Sequence, residues 1–164
     1  MKLTVLLLLF VAGCGYQFAG GKLPGDVQYL SLPIAINKTA EPLLENVLSA
    51  PLSAVLARQQ HIELVESDEL AEAVLQATIT DYTVVPISYS SNDRISAFNA
   101  SLTINFTLRR QVDGKLIWQG TLQRQTTYSA AADKNLQEDL ESIAIESMAK
   151  DIADDLIYRL VTRF

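Results

Sequence analysis

From Ala97 to Arg110 the chain reads "AFNASLTINFTLRR", and a turn later it returns as "LIWQGTLQRQTTY" (116–128). Successive strand side chains point to opposite faces. Leu102, Ile104, Phe106 and Leu108 therefore share one face, and Ser101, Thr103, Asn105 and Thr107 share the other. Helical winding would spread both sets around the whole circumference. "VDGK" (112–115) between the runs is a hairpin turn signal, and Leu116, Trp118 and Leu122 come back on the apolar side. A two-stranded ribbon with one apolar face is marginal in water and needs a cover. That requirement constrains everything else in the chain.

The remaining segments supply the cover. "AVLQATITDYTVVPI" (73–87) is a third strand with Leu75, Ala77 and Ile79 inward. The C-terminal stretch repeats Leu136, Leu140, Ala144, Met148, Ile152, Leu156 and Leu160 nearly every fourth residue, a long amphipathic helix with Asp133 placed to cap it. Residues 39–60 predict a second helix: Thr39 as N-cap, Glu41 in the first turn, Pro42 near the start, and an apolar stripe of Leu44, Val47, Leu48, Leu52, Val55 and Leu56. Pro51 within it predicts one kinked helix or two short ones. "VQYLSLPIAIN" (27–37) alternates Leu30, Leu32, Ile34 and Ile36, with Pro33 marking an edge strand or a bulge. "HIELVE" (61–66) is a short extra strand or extended chain. The order β-α-β-β-β-α predicts an α/β (α+β) sandwich rather than a barrel. Two helices pack on one face of a mixed, mainly antiparallel four-stranded sheet.

The N-terminus carries a different message. Met1-Lys2, the apolar run Leu3–Val11 and the small Ala12-Gly13 form a signal segment, too short to span a bilayer. It ends at Cys14, the single cysteine, which has no partner for a disulfide. Val11-Ala12-Gly13-Cys14 is similar to the bacterial lipobox, which makes Cys14 the expected lipidation site and mature N-terminus. Two or three acyl chains anchor stably where one does not. Gly15, in place of an Asp retention signal, favours the outer membrane. The division is 1–13 signal peptide, 14–26 lipidated N-terminus and tether, and 27–164 a single domain.

Charge and motif content narrow the function. Loss of Lys2 with the signal leaves 12 basic against 19 acidic side chains, a net −7 that argues against nucleic acid as a partner. His61 is the sole histidine and stands as a helix-terminal surface residue. No nucleophile elbow or phosphate-cradling glycine motif is present, and Asp154-Asp155 reads as a solvated helix face. The expectation is a non-enzyme with no cofactor and no metal site.

Several stretches resemble the lipopolysaccharide-assembly lipoproteins of the outer membrane, the LptE family. "YLSLPIAINKTAEPLLE" is similar to their first strand and helix entry, with Asn37, Lys38, Thr39, Glu41 and Pro42 at the motif positions. "AEAVLQATITDYTVVPISY" resembles their second strand, with Tyr82, Pro86, Ser88 and Tyr89 in place. "GKLIWQG" and "TTY" resemble the fourth. Pro51, and Glu72 where many relatives carry Asp, depart from the pattern. The resemblance implies a lipid-anchored domain on the periplasmic side of the outer membrane that plugs a β-barrel lipopolysaccharide translocon. It also implies lipopolysaccharide as a ligand.

Topology suggests where an anion would bind. If the last three strands are antiparallel neighbours and the first is parallel to the second, Lys38, Arg94 and Lys134 come to one end of the sheet. Converging there, they would be charge-assisted phosphate donors. Arg109, Arg110 and Lys115 form the alternative cluster at the other end. A rival reading is an outer-membrane lipoprotein that activates a periplasmic cell-wall enzyme, for which the twelve-residue tether is short. A small-ligand carrier would need a capacious apolar cavity.

Overall fold

The computed structural model describes residues 23–162; the signal segment, Cys14 and the tether as far as Lys22 lie outside the described residues. The elements are β1 (Tyr29–Ser31), β2 (Ile36–Asn37), α1 (Leu44–Ala57), β3 (Glu63–Val65), a 3₁₀ turn (Asp68–Leu70), β4 (Ala73–Tyr89), β5 (Ile95–Arg110), β6 (Leu116–Ser129) and α2 (Lys134–Thr162). They form one mixed sheet in the order β3-β1-β4-β5-β6, with β2 also paired to β4. The α+β class with two helices is as the sequence implies. The strand count is six rather than four, because "HIELVE" does contribute β3 and the first strand is split in two.

The split has a simple cause. Leu30 pairs with Ala73 and Ile36 with Thr78, so six steps along one strand match five along the other. The extra residue falls around Pro33, which cannot donate to the ladder. Because the side-chain period is two, one extra residue turns the following side chains over. Leu30 is buried as expected, but Ala35 takes the next inward place, and Ile34 and Ile36 are 61% and 48% exposed. The expected inward set past Pro33 is thereby corrected.

The long strands behave as their alternation predicts, except that a register shift between Leu108 and Arg109 sets Leu116 opposite Arg109 and leaves it 37% exposed rather than inward. Leu75, Ala77, Ile79, Ile104, Phe106, Leu108 and Leu122 are fully buried on one face. Both helices cover that face: Leu48, Leu52 and Leu56 of α1 and Met148, Ile152, Leu156 and Leu160 of α2 complete a single core. Leu136 is the exception, half exposed in the first turn of α2 before the helix reaches the sheet. Asp133 caps that helix as expected, its carboxylate accepting the Leu136 N–H at 2.9 Å. Pro51 sits inside one continuous α1 rather than dividing it, since the buried leucines on either side hold both turns to the sheet.

The entry to α1 differs from the expectation. Thr39 does not cap the helix, which begins five residues later after Leu43 in a left-handed conformation (φ 64°) with no side-chain cap. Thr39 instead belongs to a small network around Asn37. The Asn37 amide donates to Glu41 O and to the Glu45 carboxylate, and its oxygen accepts from the Thr39 N–H and hydroxyl. Together Asn37, Thr39, Glu41 and Glu45 satisfy a tight exit from β2. Glu72 acts in a comparable way at the other end of the segment. Its carboxylate accepts the N–H groups of Gln28 and Tyr29 at 2.7 and 3.3 Å, tying the start of β1 to β4.

Two further details hold β6 in place. Gly120 lies two residues from Trp118 on the same strand, and a Cβ there would come within 2.7 Å of the indole ring. "WQG" is thus a packing unit in which the glycine leaves room for the ring. Asp155 of α2 lies 3.1 Å from Arg124 and 3.2 Å from Arg159, both charge contacts rather than aligned hydrogen bonds. Arg159 also donates to Thr121 O and Arg124 to Gln123 O. Asp155 is therefore a structural ion-pair partner rather than a solvated charge, whereas Asp154 is exposed.

Gly120→Ala should destabilise the fold by about 1–3 kcal/mol through overpacking. The Trp118→Phe background, which lacks the outer ring, should recover part of that loss. Thermal unfolding of the four-member cycle measures the coupling, and additive effects would show that the indole is not the obstacle. Asp155→Ala leaves Arg124 and Arg159 without their carboxylate, though each keeps a carbonyl partner, and should cost about 0.5–1 kcal/mol after allowing for solvent screening. A denaturant midpoint unchanged by the substitution would show that the ion pairs do not clamp α2 to β6.

Candidate functional site

β4 and β5 outgrow the body of the domain. They pair over their whole length from Ala73↔Arg110 to Tyr89↔Ile95, yet β2 accompanies β4 only as far as Ile79. Beyond that level the outer edge of β4 has no strand partner among the described residues. Helix cover also ends: Ala100 is fully buried, Val84 and Phe98 are half-buried, and Val85, Ile87, Tyr89 and Ile95 are 49%, 52%, 61% and 39% exposed. The result is a projecting hairpin: β6 still flanks β5 as far as Ala97↔Ser129, and beyond that level residues 89–96 stand clear of other described strands with both faces open. Register shifts around Ser88 twist it. Asp93 in the left-handed region (φ 56°) makes the turn, closed by the Ser90 N–H on Arg94 O at 2.7 Å.

Its base is fastened by aromatic and acidic side chains. The Tyr82 hydroxyl donates to Glu141 of α2 at 2.7 Å. Tyr128 of β6 stacks on Phe98 of β5, ring centroids 5.6 Å apart, and lies near Glu141 and Gln137. Burial, then the Glu141 carboxylate, pushes the Tyr128 phenol up to about 12. The same two causes hold Tyr82 well above the ordinary phenol range. Glu41, just before α1, is raised by burial and by Glu141. Sequence reading passed over Glu141, hidden in an acidic helix. The available signal was two tyrosines, Tyr82 and Tyr128, at inward positions where a hydroxyl needs a partner.

The expected basic residues are distributed unequally. Arg94 is exposed in the hairpin turn. Lys134 is the first residue of α2, largely exposed, with its ammonium 3.5 Å from Glu138. The two share an end of the sheet, because the Ala130 N–H bonds to Ser96 O. Lys38 does not join them. β2 is parallel to β4 as inferred, but the Lys38 N–H bonds to Ile79 O, and β4 runs ten residues further to Tyr89, roughly 30 Å along a strand. The alternative cluster is engaged in its own turn. Arg110 pairs with Asp113 at 3.3 Å, Arg109 donates to Gly114 O, and the Lys115 N–H holds the Asp113 carboxyl below its usual range. His61 lines an open cleft of about 410 Å³ beside β3 with Gln28, Tyr29, Gln60 and Glu63, a polar lining far from the hairpin.

The face of the sheet away from the helices is hydroxyl- and amide-rich. Thr121 donates to the Asn105 side chain at 2.7 Å and Gln123 to Ser101 at 2.9 Å. These cross-strand pairs satisfy the face internally and leave it polar with little charge.

The architecture has solved counterparts, lipoproteins among them. Rare lipoprotein B of Shewanella oneidensis superposes with a TM-score of 0.55 at 12% identity, covering 80% of this chain and 92% of that one. A lipoprotein B of Nitrosomonas europaea gives 0.59 at 15% identity over 91% and 90%. PelC of Paraburkholderia phytofirmans, a dodecamer, gives 0.52 at 12% identity over 87% and 93%. At such identities these likenesses establish the fold. No curated protein is significantly similar to the chain in sequence. Residues 27–160, nearly the whole of the described domain, match the family described as LptE, lipopolysaccharide-assembly. The strand-to-helix exit at Asn37, the long β4–β5 pair and the Trp118–Gly120 unit all lie within that match, and the chain belongs to the LptE family of lipopolysaccharide-assembly proteins.

Proposed function

We propose that the protein is an outer-membrane lipoprotein, acylated at Cys14 and facing the periplasm. In this reading it plugs the β-barrel lipopolysaccharide translocon and assists insertion of lipopolysaccharide into the outer leaflet. The observation that carries the reading is the family match across residues 27–160. Two surface features support it. A barrel lumen is polar and wet, and the open sheet face around Asn105, Thr121 and Gln123 is polar and nearly uncharged. The end of the β4–β5 hairpin stands ahead of the body, and Tyr89, Ile87 and Val85 are exposed on it as contact groups.

Within this reading Arg94 and Lys134 are the phosphate contacts, with charge-assisted hydrogen bonds to an anionic headgroup. The Lys134–Glu138 pair is exposed and weak, so a phosphate competes for the ammonium easily. Lys38 is too far back along β4 to share that headgroup. The role is one of binding and assembly rather than catalysis.

Copurification of the tagged full-length protein from outer membranes in gentle detergent tests the assignment. A large β-barrel protein in near-stoichiometric amount is the expected companion. Recovery alone, or with a peptidoglycan synthase, would take the translocon role away and favour the cell-wall reading. The Arg94→Glu, Lys134→Glu double variant should lose roughly tenfold or more in lipopolysaccharide affinity while retaining its melting temperature. Unchanged affinity would remove the phosphate assignment without touching the barrel one.

A further inference from the structure

The chain enters the domain at one defined place. Leu23 and Val27 are buried in the core, and between them the Asp26 N–H closes a turn onto Leu23 O at 3.2 Å. This entry turn lies against the β5–β6 connection. Gly25 sits beside Ile117, and Gly25, Asp26 and Val27 line an open cleft of about 260 Å³ with Glu72, Arg110 and Val112. Glu72 ties the two together, its carbonyl accepting the Gln111 N–H at 2.9 Å while its carboxylate holds the N–H groups of Gln28 and Tyr29. Nine residues lead from Cys14 to Leu23, and a chain of that length reaches about 30 Å at full extension. The hairpin turn stands at the opposite end, roughly 50 Å away along the 17 residues of β4. An anchor at Cys14 therefore holds the β5–β6 connection close to the bilayer.

That connection carries an apolar tip among cations. Val112 is 91% exposed. Arg109 donates to Gly114 O, a neutral partner that leaves its charge uncompensated. The Arg110–Asp113 pair is nearly half exposed on both sides, so a phosphate oxygen can replace the carboxylate at little cost. The Lys115 ammonium has no ion-pair partner among the described residues, since Asp113 accepts only its backbone N–H. The nearby Glu72 carboxylate is turned to backbone N–H groups, and Glu63 of β3 lies three strands from β5, about 14 Å across the sheet. The positive charge thus belongs to one corner of the domain. Apolar tips enter a headgroup layer while flanking cations take the phosphates.

We propose that the β5–β6 connection, Arg109 to Lys115, is a docking surface for anionic phospholipid headgroups of the membrane that holds the Cys14 anchor. The inference rests on acylation at Cys14 and not on the translocon role. One apolar side chain and three cations bind a bilayer weakly from solution. Tethering makes the same contact intramolecular, at high effective concentration. The docked domain stands on this corner, with the hairpin turn and Arg94 directed away from the lipid surface.

The acylated full-length protein, reconstituted in vesicles of phosphatidylethanolamine and phosphatidylglycerol, tests the surface. Acylation consumes the thiol of Cys14, so Val112→Cys and Ser91→Cys each offer one free thiol for an environment-sensitive dye. The dye at position 112 should shift to the blue and be quenched by a lipid-borne quencher, whereas the dye at 91 should stay in water. Arg110→Glu with Lys115→Glu, or vesicles of phosphatidylcholine alone, should lower the ratio of docked to undocked chain by roughly tenfold. Mass spectrometry of the N-terminal peptide keeps the two readings apart. An unmodified Cys14 overturns the anchor and the docking with it, while an acylated chain whose dye at 112 stays in water overturns the docking alone. Equal quenching at 91 and 112 overturns the choice of corner, and quenching untouched by charge reversal overturns the assignment to anionic lipid.

Discussion

The burial of one face of β4, β5 and β6 is the constraint from which the rest of the molecule follows. Leu75, Ile79, Ile104, Phe106, Leu108 and Leu122 lie in register across three antiparallel strands, and none retains contact with water. At about 25 cal/mol per Å² of apolar surface, such a face cannot be left open, and two amphipathic helices are the simplest way to close it. α2 starts where β6 ends and lies back along it, so Glu141 meets Tyr82 near the top and Arg159 reaches Thr121 lower down. α1 descends from the end of β2 to the start of β3 beside it. Both helices oppose the direction of β4.

Strict alternation made this core readable without coordinates. Ser101, Thr103, Asn105 and Thr107 interleave with four large apolar residues, and period two admits one solution. The α2 repeat was equally plain. Legibility failed where a single residue changes the phase. Pro33 was recognisable as a strand breaker, yet whether the ladder absorbs it by bulging or by ending depends on the partner strand, which local sequence does not contain. The consequence was large, since Ile34 and Ile36 moved from the expected core to the surface. The start of α1 failed for a related reason. Thr39 has the composition of an N-cap, but Asn37 engages it first, and the helix begins only after Leu43.

The candidate site shows the same division. Arg94 and Lys134 share an end because antiparallel neighbours return their connections to the same side, and that much follows from topology. Lys38 fell away because the length of β4 beyond its β2 partner is a tertiary quantity. Topology places strand ends relative to one another only when the strands are of similar length. Two edges of the sheet are protected by different means. On β6 the guanidinium groups of Arg124 and Arg159 occupy the carbonyls of Gln123 and Thr121, and on the bare stretch of β4 Pro86 removes a donor and bulges add twist. Both devices discourage addition of a further strand at these two places.

Helices that both run against β4 have an electrical consequence. Their peptide dipoles point the same way, so the helical layer as a whole presents a positive pole toward the end where the hairpin projects and a negative pole toward the opposite end. The chain carries a net excess of acidic side chains, but backbone dipoles are indifferent to that count. The side chains oppose this polarity: Glu45 and Asp133 sit at the helix starts, whereas Arg159 and the turn residues Arg109, Arg110 and Lys115 lie toward the other end, so the dipoles offset part of the charge gradient. Close approach makes the remainder felt, because salt screens it beyond about 10 Å.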